Sequence, residues 1–288
     1  MRPWPDTLSC PGAVVSPRWV YILTIVALCV GVPAASAAQI RPLEPMPWRV
    51  FDPATTLSLD AGVGLLHGQR ASLAGTSGSL LEIGNFVGAW RSGRMAIEIG
   101  GTVYRRFEDR ERYGEPHPSV SNDGPRRTDS GDYNVGTLLR LTPEDAPGLL
   151  AIRFGTRLPN SDDETGIDRD RTDFYALLGG RLRRGQLRVS AEAGVGIFGS
   201  HDLDYEQADP LLYSVTSEYS FGVATLHGTF LGHRAGFGGW VQRGNESRSE
   251  ARMGVGVGHR HRLQLLYVHG LAQHSPSRGW LLSVGASR

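Results

Sequence analysis

Apolar and polar positions alternate with a period of two over much of the chain, most regularly between residues 131 and 199. The stretch that follows Gln186 shows the pattern: Leu187, Arg188, Val189, Ser190, Ala191, Glu192 and Ala193. Successive side chains of a β-strand point to opposite faces, so alternation over about ten residues predicts a strand. Four such strands fit between residues 131 and 199, and no helical pattern separates them.

The same pattern predicts eight more strands outside this region. Their expected bounds are about 54–66, 78–90, 95–107, 212–227, 234–243, 250–260, 262–272 and 279–287. Polar and mostly long loops alternate with turns that are mostly short; the expected loops are 67–77, 108–130, 159–171, 200–211, 244–249 and 273–278. An even strand number with this alternation is typical of outer-membrane barrels. The chain is therefore predicted to be all-β, with an antiparallel up-and-down transmembrane β-barrel of about twelve strands over residues 54–288.

One face of these strands is apolar and the other carries charges and glycines. In a membrane barrel the apolar face contacts lipid, where each charge would cost about 2–4 kcal/mol near the midplane. The charges are therefore predicted to face the lumen, and the lumen-facing residues proposed are Glu82, Glu98, Asp132, Arg140, Arg153, Arg157, Asp173, Arg181, Arg188, Glu192, Glu218 and Arg252. Near-equal numbers of each sign predict ion pairs across the lumen. Such a lumen is either an open or gated pore of weak charge selectivity or a closed, salt-bridged core.

The N-terminus has the features of a secretory signal peptide. An apolar run over residues 19–32 follows Arg18, and Ala35, Ser36 and Ala37 offer a small-x-small cleavage site. The expected organisation is a signal peptide over residues 1–37, then a proline-rich periplasmic lead over residues 38–53. The alternative is an uncleaved anchor, for which the apolar run is short.

Composition excludes several kinds of chemistry. All 30 basic residues are Arg and none is Lys, which excludes Schiff-base catalysis and the lysine-containing phosphate loop. Cys10 and Cys29, the two cysteines, lie in the expected signal peptide, so disulfide and thiolate chemistry is not expected in the mature chain. A formal net charge of +1 indicates no nucleic-acid partner.

Candidate catalytic and metal sites are weak. There is no G-x-S-x-G motif, and His259 and His261 would point to opposite faces of a strand. The acidic loop around Asp162 and Asp168 could offer oxygen ligands to Ca²⁺, but it lacks the EF-hand spacing, with Gly166 out of place. We therefore expect no enzymatic activity, no catalytic residues, no cofactor and no metal.

Two short segments carry a family resemblance. Residues 154–159 read FGTRLP, an acidic loop follows, and residues 172–174 read TDF. This resembles the "LPTG…G…TD" signature of the phenol-degradation meta-pathway (MetA-like) outer-membrane proteins. Asn160 and Ser161 stand where that family has Thr and Gly. The resemblance implies an outer-membrane barrel that moves small, often hydrophobic compounds.

The predicted function is a channel of the cell outer membrane that passes small, hydrophobic or aromatic solutes by passive diffusion. The expected partners are the lipid bilayer and lipopolysaccharide, the outer-membrane assembly machinery and a small-molecule solute. The alternative is a non-conducting structural or surface-interaction barrel that acts through its extracellular loops, above all loop 108–130.

Overall fold

The computed structural model describes residues 40–121, 124–199, 209–235 and 246–288. The expected signal peptide, residues 1–37, lies outside the described residues. No helix within the described ranges is long and apolar enough to cross a membrane. The only helical segments there are two short 3-10 turns, Trp48–Phe51 and Asp163–Thr165.

Thirteen strands make up the rest of the regular structure of the described residues. In chain order they are β1 (Leu57–Ala71), β2 (Thr76–Ser92), β3 (Met95–Arg112), β4 (Arg126–Asp129), β5 (Tyr133–Arg140), β6 (Gly148–Leu158), β7 (Asp173–Arg184), β8 (Leu187–Phe198), β9 (Leu211–Phe221), β10 (Ala224–Arg234), β11 (Arg248–Val257), β12 (His261–Gly270) and β13 (Arg278–Ser287).

Pairing between the first and last strands closes the sheet. Neighbouring strands pair antiparallel around the ring, and β1 pairs with β13 in a register that sets Ser58 opposite Ser287. The short β4 pairs only with the outer part of β3, so twelve strands form the barrel and β4 extends one edge. The predicted fold class is confirmed. The pairing of β1 with β13 closes the twelve-strand ring, and a lipid environment requires such a closed sheet.

Two of the predicted strands have different bounds in the structure. The pattern over residues 212–227 predicted one strand, but β9 ends at Phe221 and β10 begins at Ala224. Gly222 adopts φ +61° and allows a two-residue hairpin turn. Val223 follows it and continues the apolar alternation, which hid the turn. Most of the predicted strand 234–243 lies outside the described residues.

The predicted loop 67–77 is mostly strand. β1 and β2 extend to Ala71 and from Thr76, so the connection between them is only residues 72–75. Of the glycines and serines that indicated a loop, Gly68 and Ser77 lie in the strands and Ser72 and Gly75 in the turn, and there are register shifts on both sides of the hairpin. These strands project further at the long-loop end than the pattern indicated.

Residues on the outer face are apolar and exposed. Leu265 of β12 pairs with Leu282 of β13, and their side chains are 42% and 44% exposed. Their inward neighbours Gln264 and Ser283 are half-buried and polar. Tyr267 and Trp280 stack edge to face, with ring centroids 5.1 Å apart. An apolar exterior around a polar interior is the arrangement that a lipid-spanning barrel needs.

Candidate functional site

The twelve lumen-facing residues proposed from the sequence occupy inward positions of the strands or lie directly beside them. Glu82, Glu98, Asp132, Arg140, Arg153, Arg157, Asp173, Glu192 and Arg252 are buried, whereas Arg181, Arg188 and Glu218 are half-buried. They do not form one cluster. Most belong to an ionic network in the lumen, and the remaining few hold loops and turns.

Residues 40–53, which we call the lead, lie inside the barrel. The sequence analysis placed this segment in the periplasm, and its position in the lumen is a correction. At its start, Arg41 donates hydrogen bonds to Glu82 at 2.6 Å and to Glu250 at 3.0 Å, and all three side chains are buried. These carboxylates of the barrel wall compensate the charge of Arg41, whose burial would otherwise be costly.

Further ion pairs hold the lead along its length. Glu44 accepts hydrogen bonds from Arg252 at 2.6 and 2.8 Å. Closer to β1, Arg49 pairs with Glu218 at 2.9 Å. The lead thus descends from the long-loop end to the short-turn end, with a charged contact to the wall at each level.

Asp52 makes the last of these contacts before β1 begins. It pairs with Arg181 at 2.7 Å and lies 3.6 Å from Arg188.

Apolar side chains of the lead fill the lumen near the short turns. Met46, Trp48, Val50 and Phe51 are buried against small wall residues, among them Ala89, Ala96 and Ala151. Gly179 of β7 is part of this fit, because a Cβ there would lie 2.7 Å from the Trp48 ring. Pro42, Pro45 and Pro47 keep the lead irregular, since proline lacks a backbone donor and restricts the residue before it.

The wall has its own ionic network next to the lead. Arg153 donates to Glu98 at 2.7 Å and lies 3.5 Å from Glu192. Tyr175 donates its hydroxyl to the same Glu98 at 3.1 Å. Arg105 bridges Glu82 at 3.1 Å and Asp168 at 2.8 Å. These contacts pair opposite charges of adjacent or nearby wall strands and of loop 159–172, whereas the sequence analysis expected ion pairs across the lumen.

Asp173, Arg140 and Asp132 have other partners. Asp173 accepts two hydrogen bonds of 2.7 Å from Arg169 of the preceding loop. Arg140 donates to the carbonyls of Thr142 and Pro143 and so braces a turn. Asp132 holds the start of loop 159–172, as its Oδ1 accepts the hydroxyl of Ser161 at 2.9 Å. Asp173 and Arg140 support the architecture rather than a solute path, whereas Asp132 both holds a loop and lines the cavity described next.

A cavity of about 300 Å³ runs beside the lead. Ser58, Asp60 and Gly258 line it at the short-turn edge, and Asp132 and Arg157 line its far part. Arg157 lies nine residues along β6 from Gly148, the first residue of that strand. Nine residues at about 3.4 Å each make up most of the strand length that is needed to span lipid. The cavity therefore extends over most of that span.

The long-loop end of the lumen is filled by an apolar cluster that we call the cap. It consists of Ile40, Leu66, Ala71, Ala74, Leu80, Phe107, Ile167 and Val268, all buried. Ile167 belongs to loop 159–172 and Ala74 to the β1–β2 turn, so two connections fold inward over the barrel. The lumen is therefore occupied at this end, and the cavity lies below it.

Asp129 of β4 helps to fix the loop that carries Ile167. Its carboxyl group accepts the backbone N–H of Asp162 at 3.1 Å and the hydroxyl of Thr165 at 2.8 Å. Burial raises the pKa of Asp129 to about 6, and the hydrogen bonds from Thr165 and Asp162 oppose that rise.

Sequence reasoning missed the lead as part of the site. Its charged residues Arg41, Glu44 and Arg49 were treated as features of a solvated segment. One signal was available, since Trp48, Val50 and Phe51 form an apolar patch that a solvated linker would expose. In the described ranges, no group of three or more His, Cys, Asp or Glu side chains is arranged to hold a metal ion.

The closed antiparallel sheet, lipid-facing apolar exterior and ionic interior define a transmembrane β-barrel of the outer-membrane type. No family model and no curated protein sequence matches the chain. Among solved structures, the chain is similar to the COG4313 outer membrane channel from Pseudomonas putida F1. The TM-score is 0.55 at 11% identity, covering 85% of this chain and 100% of that one.

Two weaker similarities are to a monoaromatic hydrocarbon channel, CymD, and to a porin. The first has a TM-score of 0.45 at 9% identity and covers 90% of this chain and 94% of that one. The second has a TM-score of 0.37 at 10% identity, over 81% and 100% of the two chains. At these identities the likeness to the Pseudomonas channel shows a shared fold, and the other two add nothing to the argument.

Proposed function

We propose that this protein is an outer-membrane channel for small solutes and that the lead and the cap together set its resting conductance. The observation that carries the proposal is the cavity beside the lead, which reaches from the short-turn edge to the level of Arg157. In a purely structural barrel we would expect a packed core without such a cavity. Polar and charged groups line the cavity, as in pores that carry hydrated solutes.

The proposed solutes are small and partly apolar. Leu43, Met46 and Trp48 of the lead line the cavity opposite polar groups of the wall. Such mixed lining suits a compound with a hydrocarbon part and a few polar atoms. The resemblance to phenol-degradation outer-membrane proteins supports this choice of solute. The fold shared with a protein described as an outer membrane channel supports only the channel itself.

A non-conducting barrel is the second candidate, and the filled lumen is what favours it. The lead is held by buried ion pairs, and the cap occupies the long-loop end. A protein in this state would act through its surface loops. As an outer-membrane barrel it contacts lipid in either case, and we propose that it also meets lipopolysaccharide and is inserted by the assembly machinery after export with a cleaved signal peptide.

Single-channel recording in planar bilayers separates the two candidates. The full chain is compared with a variant that lacks residues 40–50, placed behind the same export signal. We expect small steps from the full chain and steps several-fold larger from the variant, because the wall charges would then face water. If both folded barrels insert and neither carries current, the channel proposal fails and the non-conducting barrel is supported.

A further inference from the structure

Arg157 differs from the other buried arginines of the lumen in having almost no partners. Its side chain is buried, with 7% of the residue exposed, and its Nε donates one hydrogen bond of 3.3 Å to Oδ1 of Asn134. Within the described residues, the two terminal nitrogens make no hydrogen bond or ion pair. Neither of these two nitrogens is fully enclosed, since neither belongs to the fully buried side-chain atoms that lack a hydrogen-bond partner. Arg157 and Asn134 both line the cavity.

Each of the eight other buried arginines of the described chain has an ion pair or at least two hydrogen bonds to backbone carbonyls. Six pair with carboxylates: Arg41, Arg105, Arg127, Arg153, Arg169 and Arg252. Two donate to pairs of backbone carbonyls: Arg140 and Arg248. A buried cation without a counter-charge is costly. An ionisable group in a membrane-embedded lumen is by default a candidate functional group.

Two acidic residues lie near Arg157, but both are held by other groups. Asp132 attracts Arg157 electrostatically, but its Oδ1 accepts the backbone N–H groups of Asn160 and Ser161, and no ion pair joins it to Arg157 among the described contacts. Asp173, opposite Arg157 in the β6–β7 register, is occupied by Arg169. The guanidinium therefore has its free edge towards the cavity.

We infer that Arg157 and Asn134 bind the carboxylate of a small organic anion in the lumen. A guanidinium fork matches a carboxylate with two parallel hydrogen bonds. Because Oδ1 of Asn134 accepts from Arg157, its amide NH₂ group remains available as a third donor. Leu43 on the lead, which packs against the apolar cluster of Tyr175, Leu177, Phe198 and Leu212, offers this part of the cavity an apolar surface. Such a surface favours an organic acid over an inorganic ion.

This inference rests on the proposed channel function, because it names the class of solute. A cavity of about 300 Å³ lies at the lower end of the range for small-molecule pockets, which limits the ligand to a compact acid. Benzoate is a suitable probe, and benzamide is its neutral control of the same shape.

The test is titration calorimetry with the folded full chain in detergent micelles. We expect saturable binding of benzoate, no competition by benzamide, and affinity about tenfold or more lower in R157Q, as the loss of a charge-assisted pair implies. R157K should fall between the two, since it keeps the charge and loses the fork. R183Q, at an exposed arginine beside a short turn, should bind as the unaltered protein does.

Equal benzoate affinity in R157Q and the unaltered chain would overturn the inference, as would the absence of any benzoate binding by the unaltered chain. Heat-modified migration in gels checks that each variant is folded, and removal of an unpaired buried charge should not prevent folding. Current without benzoate binding would overturn this inference alone. Benzoate binding without current would overturn only the channel function.

Discussion

The two ends of the barrel are built differently. At the long-loop end the lumen is filled by the cap and by fully buried ion pairs, of which Arg41 with Glu250 is one. At the short-turn end the lead still contacts the wall, but its pairs are partly open, as Arg49 with Glu218 shows. The side chain of Glu250 is 0% exposed and that of Glu218 is 15% exposed.

This difference indicates where the barrier to a solute lies. Partly exposed ion pairs exchange with water at low cost, whereas a buried pair leaves an uncompensated charge when one partner is lost. A solute that enters from the short-turn end passes the buried side chains of Met46, Trp48, Val50 and Phe51 through the cavity beside the lead and then meets the cap. In the proposed channel, opening therefore requires movement at the long-loop end, whereas the short-turn end can keep its structure.

The largest effect is expected from removing equivalent acids at the two ends. Glu250→Ala leaves Arg41 and Arg252 without the carboxylate they share and should lower the free energy of unfolding by about 3–5 kcal/mol. Glu218→Ala should lower it by only about 1 kcal/mol, because water reaches its partners. Guanidinium titrations of the folded barrels in micelles measure both. Similar losses for the two variants would contradict the contrast between the ends.

A smaller effect is expected from weakening the cap. Ile167→Ala removes buried apolar volume where loop 159–172 meets the barrel and should lower the free energy of unfolding by about 2 kcal/mol. The open probability in bilayers should rise, because the loop is then held less firmly. Leu271→Ala, at an exposed position of another loop, is the matched control and should change neither quantity. Unchanged gating in Ile167→Ala would exclude this loop as the barrier.

The smallest effect concerns pH. The pKa of Asp129 is raised in the folded protein from 3.8 to about 6, so its protonated form is the one that folding favours. Its contribution to docking loop 159–172 is therefore complete below about pH 4 and is lost as the pH rises through about 6. Hydrogen exchange of the Asp162 amide, corrected for intrinsic rates, should accelerate across this interval.

Asp129→Asn supplies the control for this pH dependence. The amide cannot ionise and keeps an acceptor oxygen, so protection of the Asp162 amide should stay level from pH 4 to pH 7 after the same correction. A step of equal size in the variant would show that another group is responsible.

Much of the architecture could be predicted from the sequence because the side to which a wall residue points depends only on its position along its own strand. Each wall residue faces either lipid or lumen. The alternation of apolar and polar residues in the sequence shows which of the two it faces, as at Leu265 and Gln264. The inward position of residues such as Arg153 and Glu192 follows from this alternation. The expected count of twelve strands agrees with the structure although one predicted strand, 212–227, covers both β9 and β10 and another was expected over residues 234–243. The turn at Gly222 was missed because Val223 preserves the alternation through the hairpin.

The contents of the lumen could not be predicted in the same way. Alternation says that Glu250 and Arg252 face inward but not that Arg41 and Glu44 meet them, since these partners lie about two hundred positions apart in the chain. The lead has no period, because prolines keep it irregular, so its burial depends on contacts with many strands at once. For the same reason, only the tertiary structure distinguishes Arg157 from its paired neighbours. The sequence determined that this arginine faces inward, whereas the contacts of the folded chain decided that it is left without an ion pair among the described residues.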